Sequence, residues 1–440
     1  MQGTMINFNA FCIVFFLWYN VHAKAQDKFP KYLKFGVATS SFQIEGGWNA
    51  SGKGESVWDR FPHEHPEFIM DYSNGDVACD SYHLWQTDVK LLKYLGVDHY
   101  RFSLSWTRIL PTGFSNRINS DGVKYYDNLI NSLTENGIEP MVTLYHWDLP
   151  KKIQYLGGWA NIQTAEYFGE FARIAFQLFG DRVKIWITIN EPLSVCEPSN
   201  NENGLDPEIS LPGIGDYLCG KTVLIAHSKA YHIYDKEFRN EQKGKIGISL
   251  SSVWSEPKTN KPKDVQTSER FMQMTLGWFA HPIFSREGDY PEIMKKTVQD
   301  RSILENFTQS RLPALMQTEI NNLKGSADFF GLNHYDTVLS AKHKYAIGDP
   351  CFYKDIGAIA GKDSNWKPNE NTVPWGFYKL LHWVAKEYNN PIVYITENGY
   401  HDHGQMKDID RMVFYKEFLT VLLHAIKDGC NIQNIQLGVY

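Results

Sequence analysis

The chain alternates short β-rich apolar runs with longer segments of helical hydrophobic period, and this alternation restricts the fold more than any other feature. The runs fall at 35–40, 100–105, 140–146, 183–189, 245–251, 329–335 and 391–397. Each of the first six is followed by enough chain for a crossover, so the strands are expected to lie parallel with helices on their outer face. Residues 80–95 show the helical pattern: Tyr82, Trp85, Val89 and Leu92 share a face, Asp80 is placed to cap the start, and Gly96 to end the helix. Gly137, Gly180 and Gly429 are expected to stop later helices in the same way. No repeat, low-complexity tract or linker interrupts the pattern, so the 440 residues read as one large α/β domain.

Composition bounds the partners. The formal charge of −6 is mild and no Lys/Arg run is extended, which argues against nucleic acid and anionic membranes. Aromatic residues form 14% of the chain, enough to fill a core and leave Trp and Tyr over for a binding cleft. Residues 8–18 are a Phe-rich apolar stretch too short to cross a bilayer, followed by Val21-His22-Ala23-Lys24-Ala25-Gln26 with an Ala-x-Ala cleavage pattern. Residues 1–25 are therefore expected to be a secretory signal peptide and 26–440 a single barrel domain without a membrane anchor. That domain would be delivered to an extracellular space, a digestive lumen or a vacuole-like compartment. On that route Asn49 and Asn306 become glycosylation sites. Cys12 leaves with the signal, and Cys196 and Cys219 are the expected disulfide, while Cys79 and Cys430 suit small buried side chains.

Two of the β-rich runs end on glutamate. Trp186-Ile187-Thr188-Ile189-Asn190 leads into Glu191-Pro192, and Val393-Tyr394-Ile395-Thr396 into Glu397-Asn398-Gly399. One glutamate at a strand end is an ordinary surface residue. Two, each closing an apolar strand before an abrupt turn, are placed like the carboxylates at the carboxyl ends of barrel strands. Paired carboxylates across a cleft are the equipment of glycoside hydrolysis. Arg101 lies inside the apolar run Tyr100-Arg101-Phe102, where a guanidinium is costly unless it meets a carboxylate. His63-Glu64-His65 has a metal-like spacing but no third ligand, and no cofactor motif occurs, so neither metal nor cofactor is expected.

Six motifs then recur in a recognisable order: FGVATSSFQIEG at 35–46, YRFSLSWTRILPTG at 100–113, VTLYHWDLP at 142–150, TINEP at 188–192, FFGLNHY at 329–335 and ITENG at 395–399. From about residue 31 to 432 the chain resembles the retaining β-glycosidases of glycoside hydrolase family one, the β-glucosidase and myrosinase family. The resemblance implies a (β/α)8 TIM barrel and double displacement on a small β-glycoside through a glycosyl-enzyme. It implies Glu191 as acid/base and Glu397 as nucleophile, supported by Arg101 and Tyr335. It further implies Gln43, His146, Asn190 and Asn333 as groups that hold the sugar, with Asn190 near its 2-hydroxyl, and Trp366 or Trp375 as a platform for the leaving group. Trp147 reads as packing. A myrosinase-type thioglucosidase is an alternative, although plant-type myrosinases lack the acid/base glutamate that Glu191 supplies here.

The match stops at about Gln433, where the family's eighth strand and its Trp-Ser loop should lie. Strand eight and its loop are therefore expected to be missing or replaced, although Ile435, Leu437 and Val439 alternate with Gln436 and Gly438 in a way that suits a short strand. An open barrel would make activity doubtful, and a non-catalytic relative that binds glycosides or a protein partner is the corresponding alternative.

Overall fold

The computed structural model describes residues 28–197, 211–363, 373–400, 404 and 407–439. Among them, eight strands form a closed parallel barrel: β1 (Lys34–Ala38), β2 (His99–Ser103), β3 (Glu139–Tyr145), β4 (Ile185–Asn190), β5 (Lys245–Ser251), β6 (Phe329–Asn333), β7 (Val393–Glu397) and β8 (Ile432–Gln436). Each pairs with the next in the chain, and β8 returns to β1. The seven runs read from sequence are the first seven strands, with ends shifted by no more than two residues.

The expectation that strand eight is missing or replaced is wrong. β8 lies between β1 and β7, with Phe35 opposite Ile435 and Gly36 opposite Gln436 on one side. On the other side Val393 faces Ile432 and Ile395 faces Ile435. Beyond β8, Gly438–Val439 pairs with Gly399–Tyr400 as a short parallel ladder. The departure from the family pattern lies in side chains, whereas strand pairing uses backbone groups that every residue except proline supplies in full. The unusual residues alter the interior instead, because Asn434 and Gln436 are buried amides.

Inside the barrel Met141, Ile185, Ile187, Phe329 and Tyr394 form an apolar cluster, with the Phe329 and Tyr394 rings stacked at 4.3 Å. A larger core joins the outer face of the strands to the helices. Helix Thr164–Phe179, for example, sets Phe176 edge-on to Trp186 at 5.0 Å. Two details of helix ends differ from the sequence reading. Asp80 precedes helix Ser81–Leu95, but in a left-handed conformation, and its carboxylate takes His83 rather than a backbone N–H. Gly96, Gly137 and Gly429 adopt positive φ as expected. Gly180 stays right-handed at φ −71°, and its missing Cβ makes room for the Gln242 side chain.

The disulfide joins Cys196 to Cys219. Cys430 is buried, but Cys79 is exposed, because it lies in the turn between left-handed Ala78 and Asp80 rather than on a packed face. No helix among the described residues is long and apolar enough to cross a membrane. The proposed signal peptide lies outside the described residues.

Candidate active site

At the carboxyl ends of the strands the barrel interior turns polar, and Arg101 is its hub. The residue is 1% exposed, a position that costs several kcal/mol unless every donor is matched. Nε donates to Thr143 Oγ1 at 3.0 Å, Nη1 to the Thr396 carbonyl at 2.8 Å and to Glu397 Oε1 at 2.7 Å, and Nη2 to Asn190 Oδ1 at 2.6 Å. Glu397, the last residue of β7, accepts a second bond at Oε2 from the Tyr335 hydroxyl at 2.7 Å. Each of its oxygens thus meets a fixed donor, one of them permanently charged, which suits an oriented anionic nucleophile.

Glu191 is held differently. It follows β4 in a left-handed conformation at φ 49°, a strain that surrounding contacts must sustain. Its N–H donates to the Ser249 carbonyl at 2.8 Å, and Pro192 begins helix Pro192–Cys196 directly after it. Oε1 accepts from Asn333 Nδ2 at 2.8 Å and Oε2 from Ser194 Oγ at 3.0 Å. Burial, followed by the charge of Glu397, pushes the Glu191 carboxyl up to about 7, while Asn333, Ser194 and Arg101 pull the other way. A carboxyl poised there can give up a proton near neutrality and take one back.

Asn190 links the two carboxylates. Its Oδ1 accepts from Arg101 and from Asn333 Nδ2 at 3.1 Å, while its Nδ2 donates to His146 Nε2 at 3.1 Å. His146 Nε2 is then an acceptor and its proton sits on Nδ1, a buried atom with no protein partner among the described residues. Burial, with Arg101 nearby, holds His146 well below the usual histidine range, so the ring is neutral.

The remaining sequence-predicted residues fall into two groups. Asn333 joins the cluster, whereas Gln43 lies in the short helix Ser41–Ile44 beyond β1, exposed, with its Oε1 taking the Ser40 hydroxyl at 2.6 Å. Trp366 lies outside the described residues. Trp375 is 38% exposed and stands over Lys379. Asn49 and Asn306 are both at the surface. His63 pairs with Asp76 and His65 with Glu67.

Four contributors were missed. Trp147, at φ 77°, donates from Nε1 to the Asn190 carbonyl at 3.0 Å and so fixes the turn beside the site rather than merely packing. Ser194, Ser249 and Thr396 contact Glu191, or residues bonded to it, through hydroxyls that look unremarkable in a strand or helix. Their position at or just past carboxyl strand ends was the available signal.

A closed parallel barrel with a buried carboxyl raised toward neutrality after β4 and an arginine-held carboxylate at the end of β7 matches a class, the glycosidases that work through a carboxylate pair. The model of glycosyl hydrolase family 1 matches residues 25–437, and the chain belongs to that family. It is 48% identical over 412 residues to Myrosinase 1 of Brevicoryne brassicae, covering 92% of this chain and 88% of that protein. It is 40% identical over 411 residues to human cytosolic beta-glucosidase, covering 92% and 87%. Among solved structures, aphid myrosinase superposes with a TM-score of 0.89 at 47% identity, over 93% of this chain and 89% of that one. A mutant of the rice Os3BGlu6 beta-glucosidase, in a covalent complex with Glc, gives 0.85 at 34% identity over the same shares.

Proposed function

We propose that this β-glycosidase hydrolyses O-linked β-glucosides or related small β-glycosides by double displacement, with Glu397 as nucleophile and Glu191 as acid/base. The observation that carries the reading is the unequal treatment of the two carboxyls. Glu397 sits against Arg101 and Tyr335, while Glu191 is buried and raised to about 7. In the first step Glu397 attacks the anomeric carbon and the C–O bond to the leaving group breaks as Glu191 protonates the departing oxygen. In the second step Glu191 takes a proton from water, which attacks the same carbon and releases Glu397. His146 Nδ1–H and Asn190 are the groups offered to sugar hydroxyls, and Gln43 would complete that contact by turning from Ser40.

A raised proton donor matters for an alkoxide leaving group and little for a thiolate, which favours O-glycosides. Thioglucoside hydrolysis is the second reading, supported by the 48% identity to Brevicoryne brassicae Myrosinase 1. Rates on a matched pair of aryl O- and S-glucosides separate the two: a large preference for the O-glucoside supports the first reading, and parity or reversal the second. Glu191→Ala with added azide tests the mechanism. A β-glycosyl azide is the expected product, and no azide product would count against an acid/base role.

We also infer secretion through cleavage after Ala25, with glycans on Asn49 and Asn306. The Cys196–Cys219 disulfide suits an oxidising compartment. N-terminal sequencing of protein recovered from the medium, expected to start at Gln26, checks this.

A further inference from the structure

We propose that Ser249 and Thr396 are positioning residues for proton transfer: their hydroxyls, from two different strands, hold the Asn333 carbonyl so that its amide N–H is aimed at Glu191. The proposal rests on Glu191 being the acid/base.

An asparagine side chain has two ends of nearly equal shape, so its neighbours decide which end faces a carboxyl. Asn333 Oδ1 lies against two hydroxyls, Ser249 Oγ at 2.9 Å and Thr396 Oγ1 at 2.7 Å. The two hydroxyls are 2.5 Å apart, and since each has a single proton, one donates to the other, which in turn donates to Asn333 Oδ1. All three residues are buried, at 1% exposure or less. On its other end, Asn333 Nδ2 divides between Glu191 Oε1 and Asn190 Oδ1. Asn190 Oδ1 is itself committed as an acceptor by Arg101 Nη2. If Asn333 were turned over, its oxygen would stand against that oxygen and against the Glu191 carboxylate. Arg101 and the hydroxyl pair therefore impose the same polarity from opposite sides.

The backbones of the same two residues reach the reacting groups as well. The Ser249 carbonyl accepts the Glu191 N–H, and the Thr396 carbonyl accepts Arg101 Nη1, which also holds Glu397. Without the hydroxyls the Asn333 carbonyl is buried with no donor. It is then free to rotate and accept from a protonated Glu191, which favours the protonated form. The charged and titratable groups that face Glu191 are Glu397 on β7, Arg101 on β2, Tyr335 beyond β6 and Glu197 beyond helix Pro192–Cys196. Removing the hydroxyls replaces none of them.

The test compares wild type, Ser249→Ala/Thr396→Val and Thr396→Ser. The readout is kcat/KM against pH, for an alkyl β-glucoside, which needs a proton for departure, and for a dinitrophenyl β-glucoside, which does not. In the double variant the alkaline limb moves upward by on the order of one pH unit. At the wild-type optimum the alkyl glucoside loses roughly 10-fold or more, and the dinitrophenyl glucoside much less. Thr396→Ser, which keeps a hydroxyl, retains the wild-type profile. An unshifted limb in a folded double variant, or equal losses on both substrates, overturns the proposal. If the double variant does not fold, Ser249→Ala alone moves the limb the same way by a smaller step, and no movement overturns the proposal. Glu191→Gln on the same substrates separates the two levels. Equal losses there defeat the acid/base reading itself, whereas a spared dinitrophenyl glucoside beside an unshifted double variant defeats only the role given to Ser249 and Thr396.

Discussion

At the mouth of the barrel Arg101, Asn190, Asn333 and the two glutamates match donors to acceptors within one cluster. At the seam of β8, β1 and β2, where β1 pairs with both of the others, both ring nitrogens of His99 and the side-chain oxygens of Asn434 and Gln436 have no protein partner among the described residues. Gln436 Nε2 reaches only the sulfur of Met141, a weak acceptor. Both regions bury polar side chains, and burial alone therefore says little about function. The mouth is set apart by mutual satisfaction, with a single polarity running from Arg101 through both amides to Glu191. The seam resembles a packing layer whose polar atoms cost stability.

The largest effect that would break this contrast is at the mouth. Glu397→Gln is expected to lower kcat by ~10⁴-fold or more on every glycoside, measured with the protein shown folded by its melting curve. Next, Glu191→Gln should cost ~10²-fold or more on substrates with poor leaving groups and far less on activated aryl glycosides. Parity between the two substrate classes would remove the proton-donor assignment.

A pH series sharpens the comparison in stability rather than rate. Burial depresses His99 and His334 to about 4, His227 to about 3, and His146 well below the ordinary value. Their folded values lie under the unfolded one near 6.5, so below that pH the unfolded chain binds more protons. The share of stability these histidines control is full above about pH 6.5 and is lost as pH falls toward 4, by at most about 1.4 kcal/mol per pH unit for each group, while the carboxyls of Asp148, Glu191, Glu197 and Asp216, raised by burial, act in the opposite sense. Denaturant unfolding at pH 7, 6 and 5 reads the net slope, and the difference between wild type and His99→Leu isolates one histidine's share: the variant should lose less stability, or gain more, as pH falls from 7 to 5. The smallest effect is at the seam. Gln436→Met removes an unpaired carbonyl and is expected to raise stability by about 1 kcal/mol, or roughly 1–2 °C in Tm, with kcat/KM unchanged. A loss of activity in that variant would mean that the seam is coupled to the mouth after all.

The seven strands were legible because each is an apolar β-rich run, and the two carboxylates because each closes such a run before a sharp turn. β8 was only partly legible: the alternation of Ile435, Leu437 and Val439 suited a short strand, but Asn434 and Gln436 stand where a barrel interior normally shows apolar residues, and the family's motif for this strand is absent. Arg101 declared itself by cost, a charge inside a buried run. Ser249 and Thr396 carry no such mark: a hydroxyl in a strand looks the same whether it packs or orients an amide on another strand. Gln43 was placed near the sugar by motif, yet its side chain rests on Ser40.

The central claim, that Glu397 forms the covalent bond, is tested most directly by incubating the protein with dinitrophenyl 2-deoxy-2-fluoro-β-glucoside. The fluorine slows both steps and the activated leaving group lets the intermediate accumulate, so peptide mass mapping can locate the sugar. A fluoroglucosyl group on Glu397 is the predicted result. A label on any other residue, or inactivation without a label, would contradict the account.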